Sequence, residues 1–387
     1  MSEARPNRSP SKRDFSSRRW FPGTGALPLD LGHRVAAGIQ AIPAPLFFAL
    51  LLGLAWLGAA GRPERTGATF VFMLGDWVMV SLLPRFQRSF GGVQSQALAL
   101  AIARAPFGLL PMPGLILAQL TGTALALYAL WLEPQRLTVT RQSLRSPKLA
   151  SGPPLVLVHF GDVHIERITE RERVLLKAIE EMHPDLIAFS GDFLSTSYVR
   201  DPAAWEACRW LFFQLRAPLG VFVVAGSPAV DRPEILPRLL AGTPVRWLQN
   251  ERVTLRAGAR TIEVIGVTCT HRPFVDAPVL ERLLAEAPQG ETAFRILLYH
   301  TPDLAPDAAP SGIDLQLSGH THGGQVRLPG YGALVTASLY GKAFEMGRYE
   351  VGDMTLYVTR GVGLEGTLAP RVRFLCPPEI VRWELSG

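Results

Sequence analysis

The sequence predicts two bodies: an all-α, apolar N-terminal region and an α/β domain behind it. Three observations carry this. The first third of the 387 residues holds long apolar runs almost free of charge, in a chain that is 48% hydrophobic. The remainder mixes helical spacing with short apolar strands. Several of those strands stop at Asp, Gly or His, where α/β sheets assemble their sites.

Residues 1–34 are polar and rich in Arg, Ser and Pro, and read as a basic disordered tail. Val35 to Gly61 carries no charge and exceeds the roughly 20 residues that cross a bilayer. Thr66 to Pro84 is a second candidate, interrupted by Asp76, and Ala105 to Leu132 a third. Ser89 to Ala103, ending before Arg104, is a weaker fourth. One such run is as easily a buried helix of a soluble protein. Three of them within about 100 residues argue for three to four transmembrane helices over residues 35–133. Asp76 and Arg104 are the ionisable residues near mid-membrane, and an ion pair between helices is expected of them.

A basic linker, residues 134–152, follows with Arg136, Arg141, Arg145 and Lys148. The positive-inside rule keeps both the N-terminal tail and this linker inside. That requires an even number of spans, so four spans and a cytoplasmic C-terminal domain are expected. The net charge of +6 is concentrated in these two segments. The pattern suits the headgroups of a membrane lipid bilayer and not nucleic acid. Cys208, Cys269 and Cys376 are scattered and read as reduced, mostly buried thiols, not a disulfide framework or a zinc cluster.

Residues 153–387 hold the chemistry. Leu155 to Phe160 is an apolar strand that stops at Asp162-x-His164. Asp185 to Phe189 is followed by Ser190-Gly191-Asp192, Phe294 to Tyr299 by His300, and Ile313 to Ser318 by Gly319-His320-Thr321-His322-Gly323-Gly324-Gln325. Two histidines two apart in a glycine-rich turn make a poor core and a good pair of metal ligands. Taken singly the ordinary readings hold: Asp192 as a helix cap, Asp162-x-His164 as a turn, His300 as a core histidine. They do not explain why all four sit at strand ends. His159, His183 and His271 are assigned structural or surface places. Glu170 to Met182, Trp205 to Leu215 and Val279 to Ala287 have helical spacing, while Thr261 to Val267 and Met354 to Thr359 alternate as strands.

In this order the motifs resemble the calcineurin-like metallophosphoesterases, over about residues 153–385. The Gly-His-Thr-His-Gly-Gly-Gln block, Thr359-Arg360-Gly361-Val362-Gly363 and Cys376-Pro377-Pro378-Glu379-Ile380 are similar to the membrane-anchored branch. That branch includes pyrophosphatases of a UDP-diacylglucosamine lipid precursor. The resemblance implies a sandwich of two mixed sheets flanked by helices, with the ligands in loops at one edge. It implies two divalent metal ions (Mn, Fe or Zn), with Asp162, His164 and His322 on one, His300 and His320 on the other, and Asp192 bridging. It also implies hydrolysis of a phosphodiester or pyrophosphate by water activated at the metals.

One departure stands out. Where the family has Gly-Asn-His, this chain has Gly226-Ser227-Pro228. The Asn implied as a ligand is Ser227, and the implied catalytic His is Pro228, so no catalytic residue is assigned. Ser227 and Asp231 are candidate replacement ligands. Arg360 reads equally as a phosphate contact or a surface arginine. The expected function is a membrane-anchored, metal-dependent phosphoesterase of reduced activity, acting on a phosphorylated small molecule or lipid-linked substrate. The alternative is a catalytically degenerate metal- or phosphate-binding membrane protein.

Overall fold

The computed structural model describes residues 10–18, 21, 27–150, 152–286, 292–366 and 370–387. The chain divides into two compact units: 27–136 with 364–374, and 1–26 with 137–363 and 375–387.

The first unit is helical. It holds α1 (Leu27–Gln40), α2 (Ala44–Gly58), α3 (Pro63–Leu82), α4 (Val93–Arg104) and α5 (Met112–Leu127). Its small core falls in two clusters, one of Phe47, Leu51, Ala55, Met73, Ala97 and Ala101, the other of Met79, Val80, Leu83, Ala126 and Leu130. Large apolar side chains face outward instead, among them Leu57 at 74% exposure, Leu117 at 68% and Val71 at 65%. A water-soluble surface of this size rarely shows so many.

The expected ion pair is present. Arg104 Nε and Nη2 donate to Asp76 at 2.5 and 2.8 Å, with both residues buried. Arg104 Nη1 also donates to the Gln119 backbone and side-chain oxygens at 2.8 Å, and Nη2 to Thr123 at 2.9 Å. Every acceptor belongs to this unit, as a charge withdrawn from water requires.

The expectation of three to four spans is met only in part. Among the described residues one helix, Met112–Gln135, is long and apolar enough to cross a membrane, at 24 residues or about 36 Å. Arg34–Gln40 and Ala44–Gly58 qualify together but are bent by 103° at a break. The break falls at Ala41-Ile42-Pro43, where proline restricts the residue before it. The Ser89–Ala103 stretch yields only the 12-residue α4, about 18 Å. Apolar composition was sufficient there, and straight helical length was not.

The second unit is a sandwich of two mixed six-stranded sheets. One sheet runs β1 (Thr138–Arg145), β14 (Glu379–Ser386), β2 (Leu155–Phe160), β3 (Leu186–Phe189), β4 (Val221–Val223), β5 (Val245–Trp247). The other runs β12 (Gly347–Val351), β13 (Met354–Val358), β9 (Leu315–Ser318), β8 (Ala293–Leu298), β7 (Arg260–Gly266), β6 (Glu251–Ala257). A short hairpin, β10 (Arg327–Leu328) and β11 (Gly332–Ala333), lies outside them. Between the sheets Leu157, Ala188, Phe222 and Val224 meet Val264, Ile296, Leu317 and Tyr357.

Helices cover the outer faces. α6 (Glu170–Glu181) and α7 (Pro202–Phe213) send Leu175, Ile179, Leu211 and Phe212 onto the first sheet; the short α8 (Leu236–Leu240) adds Leu236 and Leu239. α9 (Pro273–Ala285) and α10 (Ala305–Ala308) cover the second sheet. α6 begins at a capping box in which Thr169 and Glu172 satisfy each other's backbone. α7 and α9 start earlier than their apolar spacing suggested, each with proline in its first turn, and Ala287 lies outside the described residues.

Two segment boundaries differ from expectation. Thr138–Arg145 is not linker: it is an eight-residue strand parallel to β14, with burial alternating along it. The basic residues Arg141 and Arg145 lie on its exposed face, which gave the segment its linker-like charge. The tail is also ordered in part. Phe15 is buried edge-on against Tyr340 with 5.2 Å between ring centroids, and Lys12 pairs with Asp307 at 2.6 Å. Two aromatics in a polar stretch, Phe15 and Phe21, seat it in the core beside the second sheet. Helix α1 begins at Leu27, inside the expected tail, and residues 1–9, 19–20 and 22–26 lie outside the described residues.

Candidate metal centre

The ligand-bearing loops leave strands β2, β3, β4, β8 and β9, each at its C-terminal end. Their backbones come unusually close, and only glycine permits it. A Cβ on Gly226 would lie 2.2 Å from Asp192 N, and one on Gly319 would lie 2.2 Å from Asp162 Oδ2. Asp162 then accepts His320 N–H at 3.0 Å, and Asp192 accepts Ser227 N–H at 2.6 Å. Each carboxylate thus pins one loop to another.

The conformations are strained at the same place. Twelve non-glycine residues among those described have positive φ, and Asp162, His164, Asp192, His320 and His322 are five of them. Each such residue costs about 1–3 kcal/mol, and such residues cluster where geometry serves chemistry.

The six expected ligands converge, all but His320 fully buried. Asp162, His164 and His322 present ligand atoms within 4.8 Å of one another, and so do Asp162, Asp192 and His300. His164 Nε2 and His322 Nε2 are 2.9 Å apart, with Asp162 Oδ1 3.6 Å from the latter. Asp192 Oδ2 lies 3.7 Å from His164 Nε2 and 3.4 Å from His300 Nε2. His164 Nδ1 donates to the Leu194 carbonyl at 3.2 Å and His300 Nδ1 to that of Ser190 at 2.8 Å. Both Nε2 lone pairs therefore face the centre, the arrangement that orients histidine toward a metal. His320 Nε2 is buried with no hydrogen-bond partner. Converging imidazole nitrogens, an orphaned ring nitrogen and two carboxylates fit divalent cations of the Mn, Fe or Zn type.

The electrostatics show the same crowding. Burial pushes the Asp162 carboxyl up to about 6. Burial also works against charge on Asp192, but His300, His164 and His320 outweigh it and hold that carboxyl well below the usual range. Burial disfavours charge on His300 too; the charge and hydrogen bond of Asp192 overcome it and raise His300 to about 9. Burial with neighbouring His271 and His300 holds His320 well below the ordinary value.

Ser227 stands among these groups. Its Oγ is 3.3 Å from Asp192 Oδ2, 3.2 Å from His300 Nε2 and 3.4 Å from His320 Nδ1. Asp231 does not. Its carboxylate accepts the backbone N–H groups of Asp192, Phe193 and Gly226 at 2.7, 3.0 and 2.7 Å, so it shapes the loops as an anchor and not as a replacement ligand. Arg360, left open between a phosphate contact and a surface arginine, is held at one nitrogen: its Nη2 donates to Glu379 at 3.1 Å and Thr138 at 2.9 Å.

His159 is buried in β2 and bonded to Ser190 Oγ at 3.1 Å, as expected of a structural histidine; burial lowers it to about 3. His183 is exposed. The three cysteines are buried thiols outside any disulfide. His271, expected in a structural or surface place, is buried beside the centre. It groups with His300 and His320, offering a ligand atom within 4.8 Å of theirs. It lies five residues beyond β7, a strand that pairs in parallel with β8, too far along the loop for the strand end to signal its place.

Comparison with known proteins agrees with this geometry. Residues 155–324 match the model of the calcineurin-like phosphoesterase family. The chain is 32% identical over 268 residues to the uncharacterized metallophosphoesterase YkuE of Bacillus subtilis, covering 67% of this chain and 89% of that one. It is 26% identical to the UDP-2,3-diacylglucosamine pyrophosphatase LpxG of Chlamydia trachomatis, over 64% of this chain and 89% of that one. To the phosphodiesterase YaeI of Escherichia coli it is 27% identical, over 61% and 83% respectively. With the matched residues carrying Asp162, Asp192, His300 and the His320–His322 pair at their strand ends, the chain belongs to the calcineurin-like phosphoesterase family of metal-dependent hydrolases.

Proposed function

We propose that this protein is a membrane-anchored, two-metal phosphoesterase that hydrolyses a phosphodiester or pyrophosphate of a membrane-associated substrate. The observation that carries the proposal is the convergence of buried Asp162, His164, Asp192, His300 and His322, with the Nε2 atoms of His164 and His300 turned inward. In this reading Asp162, His164 and His322 hold one cation, His300 and His320 the other, and Asp192 lies between. Two such ions, when bound, neutralise phosphoryl oxygens and activate water.

The chain's own residues set the rest. Asp192 spans both ligand sets, Ser190 and Leu194 fix the imidazole tautomers, and Asp231 holds the Asp192 and Ser227 loops together. Pro228 has no proton to give a departing oxygen. A leaving group that departs as a stable anion, such as a phosphate of an anhydride, is favoured over an alkoxide. The pyrophosphatase relative cleaves a bond of this kind. The outward apolar side chains of the helical unit and the Met112–Gln135 helix support anchoring. With α1 and α2 counted as one bent span and Met112–Gln135 as another, the basic tail and Arg136 to Lys148 share a side, which supports a cytoplasmic domain.

A second reading, a binder without turnover, draws on Pro228 alone. Full-length protein in detergent, given Mn²⁺ and bis-p-nitrophenyl phosphate, separates the two. The expected result is metal-dependent turnover that rises about 10²-fold in Pro228→His. Turnover in Pro228→His alone, with none in the native chain, would favour the binder.

The metal competes with protons. Below about 9 His300 is protonated in the metal-free protein. Because this lies above the ordinary value of about 6.5, the group stabilises the metal-free fold below pH 6.5, and that contribution is lost as pH rises through 9. Cation binding must displace the proton, so Mn²⁺ affinity should rise by up to about tenfold per unit from pH 6.5 to 8.5. Calorimetric titrations across that range check this; a flat affinity would contradict it.

A further inference from the structure

We propose that His271 is the ligand that replaces the missing asparagine at the second cation position, an inference that rests on the two-metal reading above. Three imidazoles surround one point there. The His271 and His320 ring centroids are 4.5 Å apart at 82°, those of His300 and His320 5.0 Å at 63°, and those of His271 and His300 5.9 Å at 59°. Each ring offers a nitrogen within 4.8 Å of the others. Ser227 Oγ touches two of the three, and a hydroxyl alone is a weaker donor than the carboxamide it stands for.

His271 is held there by a dedicated anchor. Asp276 accepts Thr270 N–H at 2.9 Å, Thr270 Oγ1–H at 2.8 Å and Tyr299 Oη–H at 2.6 Å. The residue before His271 is thereby tied to the residue before His300. His271 is only 3% exposed and has φ +61°, the left-handed backbone shared by five of the six other ligands. A core histidine has no need of that conformation, which costs about 1–3 kcal/mol. A nitrogen donor from the loop after β7 restores the ligand count that serine in place of asparagine at 227 lowers.

The test titrates Mn²⁺ into metal-free, full-length protein in detergent, and reads Co²⁺ absorption in parallel. The native chain is expected to bind two ions. His271→Ala should keep one and weaken the other by about tenfold or more, with the Co²⁺ bands of the second equivalent altered. Adding Ser227→Asn to His271→Ala should recover the second ion. If His271→Ala does not fold, His271→Phe keeps the ring and removes its nitrogens, and is held to the same expectation. Unchanged affinity for both ions in the variant would overturn the assignment of His271 alone, as would failure of Ser227→Asn to restore the second ion. Fewer than two ions on the native chain would overturn the two-metal reading, and His271 with it.

Discussion

Asp192→Asn is expected to abolish metal-dependent hydrolysis, on the order of 10³-fold or more, while leaving the fold intact. Asp192 approaches His164 and His300 from between them, so its charge serves both ligand sets at once. Two cations a few ångströms apart repel strongly in a buried site, and an anion between them offsets that repulsion. Loss of one preorganised charge-stabilising group alone costs about 10²–10³-fold in other hydrolases. The amide keeps an oxygen for the Ser227 N–H, so the loop contact survives and the charge does not. Rates on bis-p-nitrophenyl phosphate, with circular dichroism as the control for folding, check the expectation. A variant within tenfold of the native rate would remove Asp192 from the centre.

Arg104→Leu is expected to have the largest effect on stability. It leaves Asp76 buried at 2% exposure with its bidentate partner gone, and strips Gln119 and Thr123 of a donor. Breaking a buried pair from one side costs about 3–5 kcal/mol, because the remaining charge is uncompensated. Replacing both partners is far milder, since no charge remains. Thermal unfolding in detergent should therefore show Arg104→Leu well below the native protein and Asp76→Leu/Arg104→Leu recovering most of the loss. Equal losses in the single and double variants would mean that the pair contributes little beyond packing.

Much of the metal centre was legible because strand ends and ligands are close in sequence. Asp162 lies two residues beyond β2 and His320 two beyond β9, so an apolar run followed at once by Asp or His fixes both position and direction. His271 lies five residues beyond β7, and a loop of that length can aim anywhere. What aims it is the Asp276 anchor, a tertiary contact. The places of Asp231 and Arg360 were hidden for the same reason from the other side. Their positions beside the motifs were visible, but the backbone amides and the Glu379 carboxylate that claim them come from elsewhere in the chain. The buried pair was legible because two charges in apolar runs have few alternatives to each other. The number of spans was not, because residue apolarity does not report where a helix bends or ends.

In the proposed function the converged carboxylates and imidazoles hold two cations. The most direct measurement is the metal content of purified full-length protein, by elemental analysis after Mn²⁺ loading and removal of free ion. Two ions per chain, falling below one in Asp192→Asn, is the predicted result. Fewer than two ions on the native chain, or a count unchanged by Asp192→Asn, would contradict it.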